Sequence, residues 1–334
     1  MSGGIHNYWQ FPGLLFSVLK NLSIQKRFLQ KNINPILSLA RSNNDGSLDE
    51  NDFRKITHYY GLAVPAILGE AFCALKGSEM SLAERWAATA QGAMTGLFDD
   101  FHDKGQLDEK AIESKLKVDA IHLPRQANEK LFELFYSRAL EFVPDQNLTR
   151  HALMKVYEAQ VQSKLQKESI SYRAIKEITF LKGGASLVFY RCAFLPFASE
   201  EETNFLQNIG GLMQLSNDIF DVYKDRESGI HTLLTETKSI QTTRELFSDL
   251  LTENYAQAYT LGYKRQNVKK FLGILSIGIF SRSFVCLDQL EKNEQYSGNS
   301  FNVMEYSRGQ LICDMDTKKN MLGSAAYHFK TIVS

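Results

Sequence analysis

Apolar residues recur at i, i+3, i+4 and i+7 along most of the chain, and strict two-residue alternation is scarce. A stripe with that period gathers on one side of a helix but scatters over both faces of a sheet. The pattern therefore predicts an all-α protein, read as one domain over residues 1–334 with ten or more helices. Only 6 prolines occur in 334 residues. This agrees with helix, because Pro lacks the N–H and clashes inside one.

Two helices carry clear boundaries. Ser81-x-x-Glu84 and Ser199-x-x-Glu202 are capping-box patterns, each ahead of a long periodic run. The first helix is expected to end near Lys104, before Gly105. The second is expected to end near Arg226, before Gly229. Helices of that length span a whole domain and need neighbours of similar length, which predicts a large bundle.

Charge excludes one function class. With 38 basic and 38 acidic residues the formal net charge is zero, so no electrostatic field draws nucleic acid. Cys73, Cys192, Cys286 and Cys313 form no CxxC pair and read as reduced core thiols of a cytoplasmic protein. The N-terminus lacks a secretory pattern. The apolar stretch from Ala185 to Ala198 is shorter than a membrane span and contains Arg191, so no transmembrane segment is expected. Asn43 to Asp49 resembles a calcium loop, but the Gly46 register puts Arg41 at the first ligand position and Asp52 at the last. It reads as a polar inter-helix loop.

Acidic residues stand where helix stability argues against them. Asp99 and Asp103 share a face in the last turns of the first long helix. Asn217, Asp221 and Asp225 fall at i, i+4 and i+8 in the last turns of the second. A helix C-terminus already carries partial negative charge, so like charges there repel it and one another. A divalent cation reverses that balance, and all-oxygen ligands suit Mg²⁺. Apolar neighbours such as Leu97, Phe98, Ile219 and Phe220 argue against an ordinary solvated acidic surface. Two such stripes are expected to face one another across a cavity.

Asp99-Asp100-Phe101-His102-Asp103 matches the DDxxD motif of class I isoprenoid synthases. Asn217-Asp218-Ile219-Phe220-Asp221-Val222-Tyr223-Lys224-Asp225 resembles the second metal motif of class I terpene synthases. Its approach through Gln214 is also similar to prenyl diphosphate synthases and squalene/phytoene synthases. The resemblance implies a helical bundle of the isoprenoid synthase type with a central active-site cavity. It implies a Mg²⁺-dependent enzyme acting on an allylic prenyl diphosphate, with three Mg²⁺ ions bound together with the substrate diphosphate. Asp99, Asp103, Asn217, Asp221 and Asp225 would be the metal ligands, and Asp100 and Asp218 would stand behind them. Arg173, Lys182, Lys224, Tyr306 and Arg308 would meet the diphosphate. Family members are often dimers, which implies a homodimer.

Gly183-Gly184 interrupts an apolar helical stretch at a cost of about 1 kcal/mol per Gly against Ala. A helix break is expected there, with carbonyls aimed into the cavity as the resemblance implies, or else a simple inter-helix turn. Gly210-Gly211 lies within the second long helix and reads as a place of close packing. Ring faces can steer a carbocation. Phe72, Phe98, Phe180, Phe189, Phe194 and Phe220 are the candidates for such a wall, although core packing is the ordinary use of each. The polar segment from Glu227 to Lys238 is expected to order over the site.

The DDxxD motif is followed by Lys104-Gly105-Gln106 rather than an Arg pair, and no Gly-Lys-x-x-Arg motif stands near the N-terminus. Both absences favour a terpene synthase using one substrate. Asp221 and Asp225 replace the more usual Ser or Thr and Glu, and lean toward prenyl-coupling enzymes. A helical binding protein that has lost its chemistry is the third reading.

Overall fold

A computed structural model describes the backbone of residues 3–103, 126–298 and 300–333, and the side chains of 11–98, 101, 126–298 and 300–330. The described residues are helices and loops, with no strand among them. Ten helices of eleven residues or more stand among them. They are α1 (Gly3–Phe28), α2 (Leu82–Asp103), α3 (Ala127–Phe142), α4 (Gln146–Ser163), α5 (Tyr172–Arg191), α6 (Glu200–Glu227), α7 (Ile240–Ala258), α8 (Arg265–Leu275), α9 (Ser281–Tyr296) and α10 (Lys318–Val333). Shorter helical turns lie between several of them.

The chain divides into two compact units. One comprises Phe16–Val161 and Val188–Ala198, and the other Met1–Leu15, Gln162–Leu187 and Ser199–Ser334.

In the first of these, α2 packs along α3. The α2 start is the predicted capping box: Glu84 N–H donates to Ser81 Oγ at 3.2 Å, and Ser81 N–H donates to the Glu84 carboxylate at 2.8 Å. Three aromatic rings form the contact between the helices, with Phe132 5.9 Å from Phe98 and 5.4 Å from Phe101. Inside the unit, Arg85 donates to Gln25 at 3.0 Å and to Glu70 at 2.9 Å, while Gln25 donates to Gly61 O and Thr89 Oγ1. Most buried polar groups in folded proteins are partnered in this way. The Asn43–Asp49 loop serves as a cap. Asp45 accepts from Ala127 N–H and Ser47 from Asn128 N–H, both at 3.1 Å, which satisfies two free donors at the α3 N-terminus.

In the second unit, α6 packs on α7 and α9, and α9 packs on α10. Ser199 Oγ accepts from Glu202 N–H at 3.2 Å, as a cap should. The Glu202 carboxylate instead accepts from Tyr263 OH at 2.6 Å. The far end falls at Gly229, whose φ of +63° suits a residue without Cβ. Arg265–Tyr296 is long and apolar enough to cross a membrane by length and composition, yet 72% of its most apolar window is buried inside the structure.

The expected break at Gly183-Gly184 does not occur: α5 runs unbroken from Tyr172 to Arg191. The glycines are there for contact. A Cβ on Gly183 would stand 2.1 Å from Gly210 O, and one on Gly210 would stand 2.5 Å from Gly183 O. Gly184 meets the Gln207 backbone and Gly211 meets the Phe180 ring in the same way. Four small residues thus let α5 and α6 touch backbone to backbone, and the close packing read at Gly210-Gly211 is present.

His328 on α10 is buried between ring neighbours, 5.2 Å from Phe11 and 5.8 Å from Phe329, with Nδ1 2.9 Å from Ser276 Oγ. Burial pulls its pKa down to about 4.

Two outcomes are expected. Gly183→Ala or Gly210→Ala should lower stability by about 1–3 kcal/mol or more through overpacking against backbone, measured by urea denaturation. An unchanged midpoint would mean that the two helices separate freely. Above pH 6.5 His328 is neutral in both folded and unfolded chains. As pH falls from about 6.5 to 4 the unfolded chain takes the proton first, so stability should drop across that window. His328→Gln should shrink the drop in thermal melts.

Candidate metal and diphosphate site

The contact between α5 and α6 fixes what lies one turn further on. Lys182 and Thr179 of α5 come to stand against the last turns of α6. Thr179 Oγ1 donates to Asp218 at 3.4 Å, and Gln214 Nε2 donates to the same carboxylate at 2.9 Å. Asp218 is 4% exposed. Burial pushes its carboxyl up to about 6, while those two hydrogen bonds and the Lys182 charge pull the other way.

The carboxylates of this face act on one another. Asp225 is buried, and its carboxyl is pushed up to about 8, first by desolvation and then by the charges of Asp218 and Asp221. Lys224 and Lys182 oppose that push without overcoming it. Asn217 is exposed, and its Nδ2 donates to Asp221 at 3.3 Å. Lys224 Nζ stands 3.9 Å from Asp221. The end of α6 therefore presents four oxygen-bearing side chains, in the turns that also carry Lys224 and Arg226. Sequence spacing set Asp218 off the Asn217–Asp221–Asp225 stripe. In the structure its charge is coupled to both Asp221 and Asp225.

The donor set is chemically suited to a hard divalent ion, since every group offers oxygen and the buried carboxyl holds a proton where a cation would serve. Among the described residues, no three His, Cys, Asp or Glu side chains converge into a group that could hold a metal ion. The chain's described contribution is one helix face, which leaves much of any coordination shell to other ligands.

The first motif cannot be placed in that way. The backbone of Asp99, Asp100 and Asp103 belongs to α2, but their side chains lie outside the described residues.

Two of the basic candidates gather near α6. The Lys182 charge acts on the Asp218 and Asp225 carboxyls as described. Arg308 lies with its guanidinium 5.8 Å from the Tyr223 ring. Tyr306 is buried, stacked on Phe301 at 5.1 Å, with its hydroxyl hydrogen-bonded to Ser297 Oγ. Its backbone carbonyl accepts from Arg226 Nη1 at 2.6 Å, and Val303 O accepts from the same nitrogen at 3.1 Å. Arg226, which nothing in the sequence singled out, thus ties the Tyr306–Arg308 segment to the last turn of α6. Arg173 lies on the same helix as Lys182. It stands nine residues before Lys182 on α5, roughly 13 Å along the axis. It is 89% exposed and paired with Glu177 at 2.9 Å.

The aromatic candidates separate by surroundings. Phe72 and Phe194 pack on each other at 5.5 Å in the buried core of their unit, where Phe98 and Phe189 are also fully buried. Phe180 and Phe220 are half-buried, and the Phe220 ring lies 5.4 Å from the Arg282 guanidinium.

The segment after α6 is pinned. Ile230 N–H donates to Asp225 O at 2.9 Å, and His231 N–H donates to Gln166 O at 2.7 Å. Leu233 and Leu234 are fully buried.

Comparison with protein-family models, with curated proteins and with solved structures returned no match.

The like charges on α6 should cost stability. Asp225→Asn in EDTA at pH 8 is expected to raise the melting temperature, because it removes a buried carboxylate from beside two others. A lower melting temperature would show that the carboxylate is already compensated.

Proposed function

We propose that the chain is a Mg²⁺-dependent class I terpene synthase that ionises an allylic prenyl diphosphate, C15 or C20, and guides the cation to a terpene hydrocarbon or alcohol. One observation carries the reading. Asn217, Asp218, Asp221 and Asp225 crowd the last turns of one long helix, with the buried Asp225 carboxyl pushed up by desolvation and by its acidic neighbours. Helix stability disfavours this arrangement. A bound cation and a diphosphate would make sense of it, and the DDxxD-like Asp99–Asp103 supplies the second acidic motif that such enzymes carry.

In this reading Asn217, Asp221 and Asp225 hold Mg²⁺, while Asp99 and Asp103, in the other unit and with side chains outside the described residues, enter it through the DDxxD resemblance alone. The metal, when bound, supplies Lewis-acid stabilisation of a departing diphosphate. The chain's residues do the remainder. Lys182 and Arg308 bring positive charge toward the leaving group, helped by Lys224. Gln214 and Thr179 hold Asp218 in one orientation behind the ligands. Half-buried Phe180 and Phe220 offer ring faces to a cation. The core positions of Phe72, Phe98, Phe189 and Phe194 favour packing as their main role.

Asp at both 221 and 225 supports a second reading, a prenyl-coupling enzyme of the prenyl diphosphate synthase or squalene/phytoene synthase kind. Incubation with Mg²⁺ and single C10, C15, C20 and C25 prenyl diphosphates, followed by gas chromatography–mass spectrometry, separates the two. The expected result is a terpene from one substrate alone. Product formed only with isopentenyl diphosphate or a second allylic substrate would select the coupling enzyme. Silence in both assays would falsify the enzymatic reading. Asn217→Ala and Asp221→Ala should each cut turnover at least about 100-fold, the upper end of what losing a group that merely supports a metal ligand costs. Their far-UV circular dichroism should stay helical.

A further inference from the structure

A concavity lies within the unit that contains α6, formed by α7, α8, α9 and α10, and it belongs to none of the motifs above. Its volume is about 550 Å³, inside the range of roughly 300–1,000 Å³ typical of small-molecule sites. Arg244, Arg265, Lys269 and Lys330 line it, and among the described residues no Asp or Glu does. Four cations around one hollow repel one another unless something offsets them.

Arg244 is offset from behind. It donates to Asp288 at 2.8 Å and to both oxygens of Glu291, and Tyr327 OH donates to Asp288 at 2.6 Å. That network fixes the guanidinium as part of the wall. Arg265 and Lys330 have no ion-pair partner among the described residues. Each instead sits beside a ring that also lines the hollow. Arg265 is 4.9 Å from the Tyr259 centroid, and Lys330 is 5.1 Å from that of Tyr327. Ring faces steady a cation without neutralising it. Apart from the hydroxyls of Ser248 and Thr252, the rest of the lining is apolar or aromatic, including Leu251, Leu272, Tyr255 and Phe284.

A hollow lined by cations, two of them exposed, together with rings and leucines is complementary to one kind of molecule. We propose that it binds a small organic phosphate whose body is aromatic or apolar. The phosphate would meet Arg265, Lys269 and Lys330, because guanidinium and ammonium groups both bind phosphate strongly. The body would lie against Tyr255, Phe284 and the leucines.

The test is isothermal titration calorimetry of the full chain in EDTA, so that any Mg²⁺-dependent binding at the α6 end is silent. The probes are adenosine 5′-diphosphate for an aromatic body, octyl phosphate for an apolar one, and inorganic diphosphate for none. At least one organic phosphate should bind one to one, with inorganic diphosphate weaker by about tenfold or more. The organic probe that binds identifies the body. Arg265→Glu with Lys330→Glu should weaken that binding by about tenfold or more. Both residues are exposed, so the helical fold should persist by circular dichroism. Lys182→Ala, at the other site, should leave binding unchanged. The proposal fails if neither organic phosphate binds, if inorganic diphosphate binds as tightly, if the charge reversal has no effect, or if Lys182→Ala abolishes binding.

Discussion

Backbone contact between α5 and α6 is the constraint on which the candidate site rests. Gly183 and Gly210 each occupy space that any Cβ would deny the other helix. At that distance the neighbouring side chains have little freedom. Lys182 must meet the acidic face of α6, and Thr179 must meet Asp218. Two helices held apart by ordinary side chains, about 8–10 Å between axes, would leave Asp218 and Asp225 with less opposing charge. The glycines lower intrinsic helix stability by about 1 kcal/mol each. Their gain is geometric, since they set which residues of α5 reach the end of α6.

The same region shows stability set against chemistry. Asp225 is buried among like charges, and its carboxyl holds its proton far above the ordinary range. Nothing about folding requires that arrangement. A small polar or apolar residue would pack there at lower cost.

Much of this was legible in the sequence. The 3.6-residue period gives the helices, and Ser81, Ser199 and Gly229 mark their ends because capping and positive φ are local chemistry. Oxygen-bearing residues at four-residue spacing on α6 could be read directly. What failed to show was tertiary. Gly183-Gly184 looks like a break in one dimension, and only the opposing Gly210 reveals it as a contact. Asp218 sits about 100° from its neighbour on a helical wheel, so spacing set it behind the stripe but could not show its partners Gln214 and Thr179. The fields of the folded protein draw it in. Arg226 and the cationic hollow carry no motif, because each depends on chain segments distant in sequence.

The Arg226 clamp has a mechanical side. One guanidinium grips the carbonyls of Val303 and Tyr306 while its Cα belongs to the last turn of α6. Any rotation or lengthening at that helix end is therefore transmitted as displacement of residues 303–308, with Arg308 as the moving tip. Arg308 itself stays beside the same helix, its guanidinium 5.8 Å from the Tyr223 ring.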